Sequence, residues 1–389
     1  MKKSTFKLAY KTLLTSAALA TICLQGCVNT DEKVAVETVA TGSSLKDAFK
    51  NNFHIGAALS KTQILDQEPG TLDLVAKQFN SLTAENEMKW ELMQPIEGQY
   101  HYAVSDKLVE FSEKNDIFLV GHTLLWHHQT PKWVFENGKG EPASREVLLK
   151  RLETHINNVA GRYKGRIEAW DVVNEALNDD GTWRDSPWYR ILGEDYIIKA
   201  FEFAAKAAPN AELYYNDYNL FKPEKRDATV KIVKSLQAKG LRIDAVGIQG
   251  HYGINYPDLN LLEDSIKAFG ALGVKVMLTE LDISVLPFPD SESQGADISI
   301  DLELQEKLNP FANGLSAEMS QALADNYVNL FKIFMRHEAV ISRITFWGVN
   351  DAQTWRNDWP MKNRTDYPLL FDRNNQPKLA FDAVLNLAK

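Results

Sequence analysis

Cysteine is scarce, with two residues in a chain of 389. That excludes a disulfide framework and a four-cysteine zinc site. Apolar runs long enough for a membrane are lacking as well. The run from Thr12 to Leu24 has 13 residues, against roughly 20 for a helix that crosses a bilayer. There is no surplus of positive charge: 43 Lys and Arg stand against 52 Asp and Glu, for a net charge of −9. This argues against a broad phosphate-backbone interface and against nucleic acid as a partner. No G-x-G-x-x-G follows the first strand-like run and no H-E-x-x-H occurs, so the usual signatures of dinucleotide binding and of zinc proteases are missing. What remains is ordinary for a folded chain, 44% hydrophobic and 24% charged, but with nine tryptophans.

Lys2, Lys3, Lys7 and Lys11 lead into the short apolar run, and Leu24-Gln25-Gly26-Cys27 follows it at once. Positive charge, a short apolar stretch and small residues form the order of a secretory signal. The tetrapeptide resembles the lipobox of bacterial lipoproteins, in which the cysteine is diacylated and becomes the mature N-terminus. Residues 1–26 are therefore expected to be a lipoprotein signal peptide and Cys27 the lipidation site, with two buried acyl chains giving stable anchoring. An ordinary secreted signal with a chance cysteine is the alternative. Processing would remove four lysines and no acid, taking the net charge from −9 to −13, and would leave no free thiol. Residues 27–44, acidic and Thr/Ser-bearing without an aromatic, read as a tether. The expected location is exported and lipid-anchored to a bacterial membrane, the outer membrane on its periplasmic or cell-surface face. No linker or repeat interrupts residues 45–389, which are expected to form one catalytic domain. No coiled-coil heptads suggest an oligomer, so a monomer is expected.

Within that domain, eight short apolar or β-branched runs recur near His54–Leu59, Ser81–Thr83, Ile117–Gly121, Ile167–Val173, Ala211–Asn216, Ala245–Gln249, Val274–Thr279 and Arg343–Trp347. Helical patterns lie between them. Leu72, Val75, Ala76 and Phe79 follow the i, i+3, i+4, i+7 template, and Pro223 to Lys239 starts on Pro and ends just before Gly240. Alternating strands and helices at this spacing predict a parallel sheet, and eight units predict its closure into a (β/α)₈ TIM barrel. The long last gap, with Pro287, Pro289, Asp290 to Ser293 and Asn309-Pro310, predicts an enlarged loop after the seventh strand.

A barrel carries its chemistry at the C-terminal ends of its strands, and from the second strand onward each end delivers polar or aromatic residues. Two carboxyls stand out, Glu175 after strand four and Glu280 at strand seven, on opposite sides of the expected mouth. A pair of opposed carboxyls is the machinery of glycoside hydrolysis, with one protonated and one ionised. Asn174 could bond a sugar hydroxyl beside the reacting carbon, and His251 with Asp282 could orient Glu280. Indole rings offer flat apolar platforms for the C–H faces of sugars. Trp170, inside a strand, is expected to be core. Trp133, Trp183 and Trp188 remain open between packing and distal contact. His127-His128 lacks a third ligand at workable spacing, so no metal and no organic cofactor is expected.

These residues together resemble the family ten glycoside hydrolases that act as xylanases. The resemblance rests on Glu85-Asn86-Glu87-Met88-Lys89-Trp90, Gly121-His122 through Trp126-His127, Trp170-Asp171-Val172-Val173-Asn174-Glu175-Ala176, Gln249-Gly250-His251, Thr279-Glu280-Leu281-Asp282, and Trp347 with Trp355. It implies a retaining endo-1,4-beta-xylanase acting on xylan and xylo-oligosaccharides by double displacement, with Glu175 as acid/base and Glu280 as nucleophile. It further implies Glu85, Asn86 and Lys89 as contacts to the second sugar on the glycone side. His122, Trp126, Asn174, Gln249, His251, Trp347 and Trp355 would surround the reacting sugar. Asn216 and Tyr218 would lie near the acid/base and the aglycone, with Asp171 and Asp282 behind the contact residues. A β-1,4-glucanase, or a mixed activity on the same barrel, is the alternative. A non-catalytic sugar-binding lipoprotein would not need both glutamates. An enzyme of phosphorylated metabolites would want a Gly-rich, basic loop where this chain has Leu281-Asp282 and Gly348-Val349-Asn350-Asp351.

Overall fold

The computed structural model describes residues 44–288 and 307–388. The expected signal peptide, Cys27, residues 27–43 of the expected tether, and Pro289 with Asp290 to Ser293 lie outside the described residues. Ser44, expected at the end of the tether, is buried and caps the helix Leu45–Ala48 by accepting from the Asp47 amide at 3.2 Å.

The strands are β1 His54–Leu59, β2 Ser81–Ala84, β3 Phe118–His122, β4 Ala169–Asn174, β5 Glu212–Tyr218, β6 Ala245–Gln249, β7 His251–Gly253, β8 Lys275–Ser284 and β9 Ile341–Phe346. All their pairings are parallel. The ring runs β1 through β6, crosses from β6 to β8, and closes when His54 of β1 meets Arg343 of β9. Eight strands thus form a closed (β/α)₈ barrel, one from each predicted run. β7 is a three-residue continuation past Gly250 that pairs with β8 alone.

Every residue of β2, β4 and β6 is buried. Strands covered by helices outside and by packed side chains inside must be apolar on both faces, hence short continuous runs rather than alternation. The covering helices start and stop where the sequence signals it. Ser144 caps Arg145–Arg162, and Pro223 occupies the first turn of Pro223–Ala238, with Gly240 just beyond at φ +68°.

The structure differs from expectation most at the seventh predicted run, whose strand runs on to Ser284. Glu280 and Asp282 therefore lie inside β8 rather than beyond its end. The reason is β7: His251 registers with Asp282 and Gly253 with Ser284, so the extra length is paired. β5 likewise extends to Tyr218, with Tyr218 in register with Gln249.

Trp170 is fully buried, as its place within a strand predicts. Trp188 is also core, and its indole N–H donates to the Trp126 carbonyl at 3.0 Å. Trp133 donates to the Pro95 carbonyl and carries Arg151 over its ring. The Trp170 ring leaves no room beside Gly121, where an added Cβ would come within 2.2 Å of it. Overpacking of a dense core typically costs about 1–3 kcal/mol. G121A is expected to lower stability by at least that much, read as a lower denaturant midpoint at unchanged slope.

Candidate active site

All but one of the predicted catalytic and sugar-contacting residues line a single open cleft of about 980 Å³ at the C-terminal ends of the strands. β2 and the turn after it bring Glu85, Asn86 and Lys89. β3 and its loop bring His122 and Trp126, and β4 brings Asn174 and Glu175. Tyr218 ends β5, Gln249 ends β6, His251 opens β7, Glu280 lies in β8, and Trp347 and Trp355 follow β9.

Glu280 is 5% exposed and receives donors on both oxygens. The Asn216 amide donates to Oε1 at 2.9 Å, and His251 Nε2 lies 3.0 Å from Oε2. Behind His251, Nδ1 meets Asp282 at 3.0 Å. Asp282 is completely buried and is gripped by the Trp355 indole at 2.7 Å and by Arg356 through Nε at 3.1 Å and Nη2 at 2.8 Å. Burial favours neutral His251, but Asp282 and Glu280 outweigh it and raise its pKa to about 9. Arg356 and His251 hold the Asp282 carboxyl below its usual value despite its burial.

Asn216 is the exception. It was expected among the sugar contacts, but it is fully buried and absent from the cleft wall. It sits on β5 opposite Gly247 of β6, where an added Cβ would come within 2.5 Å of its Oδ1. Its Oδ1 accepts from the Thr279 hydroxyl at 2.6 Å, so its NH₂ is turned to Glu280 and also to Asn174 Oδ1 at 2.8 Å. An ionised carboxylate only accepts, which fixes this orientation of the amide. The Asn174 NH₂ is thereby directed toward Glu175 Oε1, at 3.4 Å.

Glu175 follows β4 in a left-handed conformation, φ +55°, which few residues other than glycine adopt. Its carboxyl meets neutral donors: the Trp126 indole on Oε2 at 2.9 Å and the Gln249 amide on Oε1 at 3.2 Å, besides Asn174. The two carboxyls are thus joined through two amides, Glu280 to Asn216 to Asn174 to Glu175.

Lys89 bonds Asn86 Oδ1 at 3.0 Å and lies 4.8 Å from the Trp126 ring centroid. Burial lowers its pKa against the pull of the surrounding carboxyls, and burial raises that of Glu85, which Lys89 opposes and Glu87 and Glu280 reinforce. His122 Nδ1 meets Asp171 at 2.8 Å, which sets that ring from behind. His127 and His128 pack on each other at 4.2 Å, and among the described residues no three His, Cys, Asp or Glu side chains gather as a metal site.

Sequence reasoning missed Gln129, Asn219, Arg356 and Trp359, which also line the cleft. Asn219 and Arg356 adjoin predicted residues, and Trp359 stacks on Trp355 at 4.7 Å. A tryptophan four places after another, beyond a strand end, was the available signal.

Comparison with known proteins now adds to this geometry. The family model described as "Glycosyl hydrolase family 10" matches residues 44–387. Endo-1,4-beta-xylanase A of Xylanibacter ruminicola is 46% identical over 344 residues, covering 88% of this chain and 93% of that protein. Beta-1,4-xylanase of Dictyoglomus thermophilum is 43% identical, covering 87% of this chain and 89% of its own length. Among solved structures, an endoxylanase retrieved from a sugarcane soil metagenome superposes with a TM-score of 0.84 at 44% identity, over 89% of this chain and 99% of the other. A mutant structure in complex with xylotriose superposes at 0.79 with 39% identity, over 88% and 99%.

The raised His251 predicts a pH effect with a definite sign. A histidine whose pKa rises from 6.5 to about 9 on folding contributes stability that is complete below pH 6.5 and is lost as pH rises through about 9. Thermal midpoints of the native protein are expected to fall across that window, and H251N is expected to flatten the fall.

Proposed function

The chain belongs to glycosyl hydrolase family 10, and from its cleft we infer that it is a retaining endo-1,4-beta-xylanase that cleaves internal β-1,4-xylosidic bonds of xylan. One observation carries the assignment of roles: Glu175 and Glu280, far apart in sequence, line one cleft in unlike surroundings. Glu280, gripped by His251 and Asn216, suits a carboxylate that stays ionised and attacks the anomeric carbon. Glu175, met by neutral donors, suits a group that changes charge twice per turnover.

In the first step protonated Glu175 gives its proton to the departing glycosidic oxygen while a Glu280 oxygen bonds the anomeric carbon. In the second step Glu175, now ionised, takes a proton from water, and the hydroxide oxygen displaces Glu280. Two inversions give net retention. Asn174, positioned by Asn216, offers its NH₂ beside the reacting sugar. Glu85, Asn86 and Lys89 hold the glycone side, and Trp126, Trp347 and Trp355 supply flat apolar walls. The relatives' activity on xylan supports xylan over cellulose as substrate.

The N-terminal residues support a second element of the reading. Four lysines, a short apolar run and Leu24-Gln25-Gly26-Cys27 suit export and acylation of Cys27. The catalytic barrel would then work tethered to a membrane surface.

Digestion of xylan should release oligosaccharides, with little product from carboxymethyl-cellulose, and proton NMR should show the β-anomer forming first. E280A is expected to abolish turnover of every substrate. E175A is expected to keep the first step on a dinitrophenyl β-xylobioside, whose leaving group needs no proton, and to lose xylan hydrolysis. Losing general acid help costs about 10²–10⁴-fold. Equal losses on both substrates would contradict the roles. C27A is expected to move the protein from the membrane fraction to the soluble one in cells that otherwise anchor it.

A further inference from the structure

Glu175 lies beyond the end of its own strand, with a backbone conformation that costs energy for a side chain larger than glycine. Something other than the β4 ladder must hold it. Its N–H donates to the Asn216 carbonyl at 2.9 Å, which ties it to β5. Two residues on, the Leu177 amide donates to the buried Asp217 at 3.4 Å, again on β5. The Glu175 carbonyl receives the third hold, Arg184 Nε at 3.2 Å.

Arg184 comes back to this place through a short turn. Leu177 faces Trp183 across an antiparallel bridge, and the Arg184 amide donates to the Ala176 carbonyl at 2.9 Å. Its guanidinium has a second partner, for Nη2 donates to the Tyr218 hydroxyl at 2.6 Å. Tyr218 lines the cleft, and its ring rests on the Lys225 ammonium at 3.5 Å from the centroid. Lys225 is fully buried and pairs with Asp217 at 2.9 Å. One planar cation therefore spans the backbone of the acid/base and the tip of an aromatic wall that is itself seated on a buried ion pair. The rigid fork of an arginine presents separate nitrogens to the two oxygens, whereas the three donors of a lysine radiate from one nitrogen and lack that fixed geometry.

We propose that Arg184 is a positioning residue for the acid/base: it fixes the Glu175 backbone and the Tyr218 hydroxyl together, so that a sugar leaving group held against Tyr218 is set in line with the Glu175 proton. The inference rests on the xylanase reading above and deepens it. Arg184 touches neither the Glu175 carboxyl nor the reacting carbon, and its effect falls on proton delivery to a sugar leaving group, where small displacements are costly.

The experiment compares kcat/KM for two substrates, xylotetraose and dinitrophenyl β-xylobioside, in wild type, R184K, R184A, Y218F and the R184K/Y218F double variant. R184K is expected to lower the value for xylotetraose by about tenfold or more, and the value for the aryl substrate by far less. The loss from R184K on xylotetraose is expected to shrink in the Y218F background, because the shared bond is already gone. If R184A fails to fold, R184K and the double variant still decide. Equal losses on the two substrates, or an R184K effect unchanged by Y218F, would overturn the assignment. A wild-type protein inert on both substrates would instead overturn the xylanase reading, and this inference with it.

Discussion

A carboxylate taken out of water loses far more than an ordinary hydrogen bond returns, and the mouth of the barrel is organised around that deficit at Glu280. The remedy is a line of charge that alternates in sign. Arg356 faces Asp282, Asp282 faces His251, and His251 faces Glu280, every contact lying between 2.8 and 3.1 Å. Each ion has a counter-ion next to it, so no step in the line leaves a buried charge unpaired. The raised pKa of His251 follows from this placement, since two carboxylates flank one imidazole. A charged hydrogen bond on one oxygen and a neutral amide on the other leave Glu280 satisfied where it lines the cleft.

Glu175 is built on the opposite principle. No cation is bonded to its carboxyl; indole and amide N–H groups serve it instead. In the proposed mechanism the acid/base is served by such neutral donors, whereas the nucleophile is served by a charged partner. Two glutamates of the same intrinsic chemistry are thus given different hydrogen-bond partners, a histidine backed by Asp282 at one and indole and amide donors at the other. The Arg184 guanidinium is directed to the Glu175 carbonyl. There it holds the backbone from which the carboxyl projects.

Much of this was legible in the chain, because a barrel imposes a simple rule: read each apolar run to its end and the chemistry is there. The eight strands, the two acids and the aromatic walls all obey it. The rule fails where a residue's partner is set by register. Asn216 stands at a strand end in a polar run and reads as a sugar contact, yet it lies two residues deeper in β5 than Tyr218, beneath Glu280 and Asn174. Gly247 opposite it is what makes room, and a lone glycine in an apolar run does not announce which neighbour needs the space. The length of β8 was hidden for a similar reason, since its last residues are paired by three residues of β7 that no periodicity marks. Arg184 was invisible because its two partners are brought to it by a turn and by a different strand.

That β5 should supply so much is a consequence of strand geometry. Successive side chains leave a strand on opposite faces, so Asn216 and Tyr218 share one face of β5 at different depths and Asp217 leaves on the other. Asn216 turns to the carboxyls, Asp217 turns away to pair with Lys225 and to receive the Leu177 amide, and Tyr218 reaches the cleft. The backbone carbonyl of Asn216 meanwhile holds the Glu175 amide. One rigid segment of three residues therefore touches the Glu280 carboxyl, the backbone of Glu175 and a wall of the cleft. A shift of β5 along its neighbours by a single position would exchange the faces and break all three relations at once. The closed ring prevents such a shift, because β5 is paired over several residues with both β4 and β6. Closure of the sheet thus sets the distance between two acids that no local sequence feature connects.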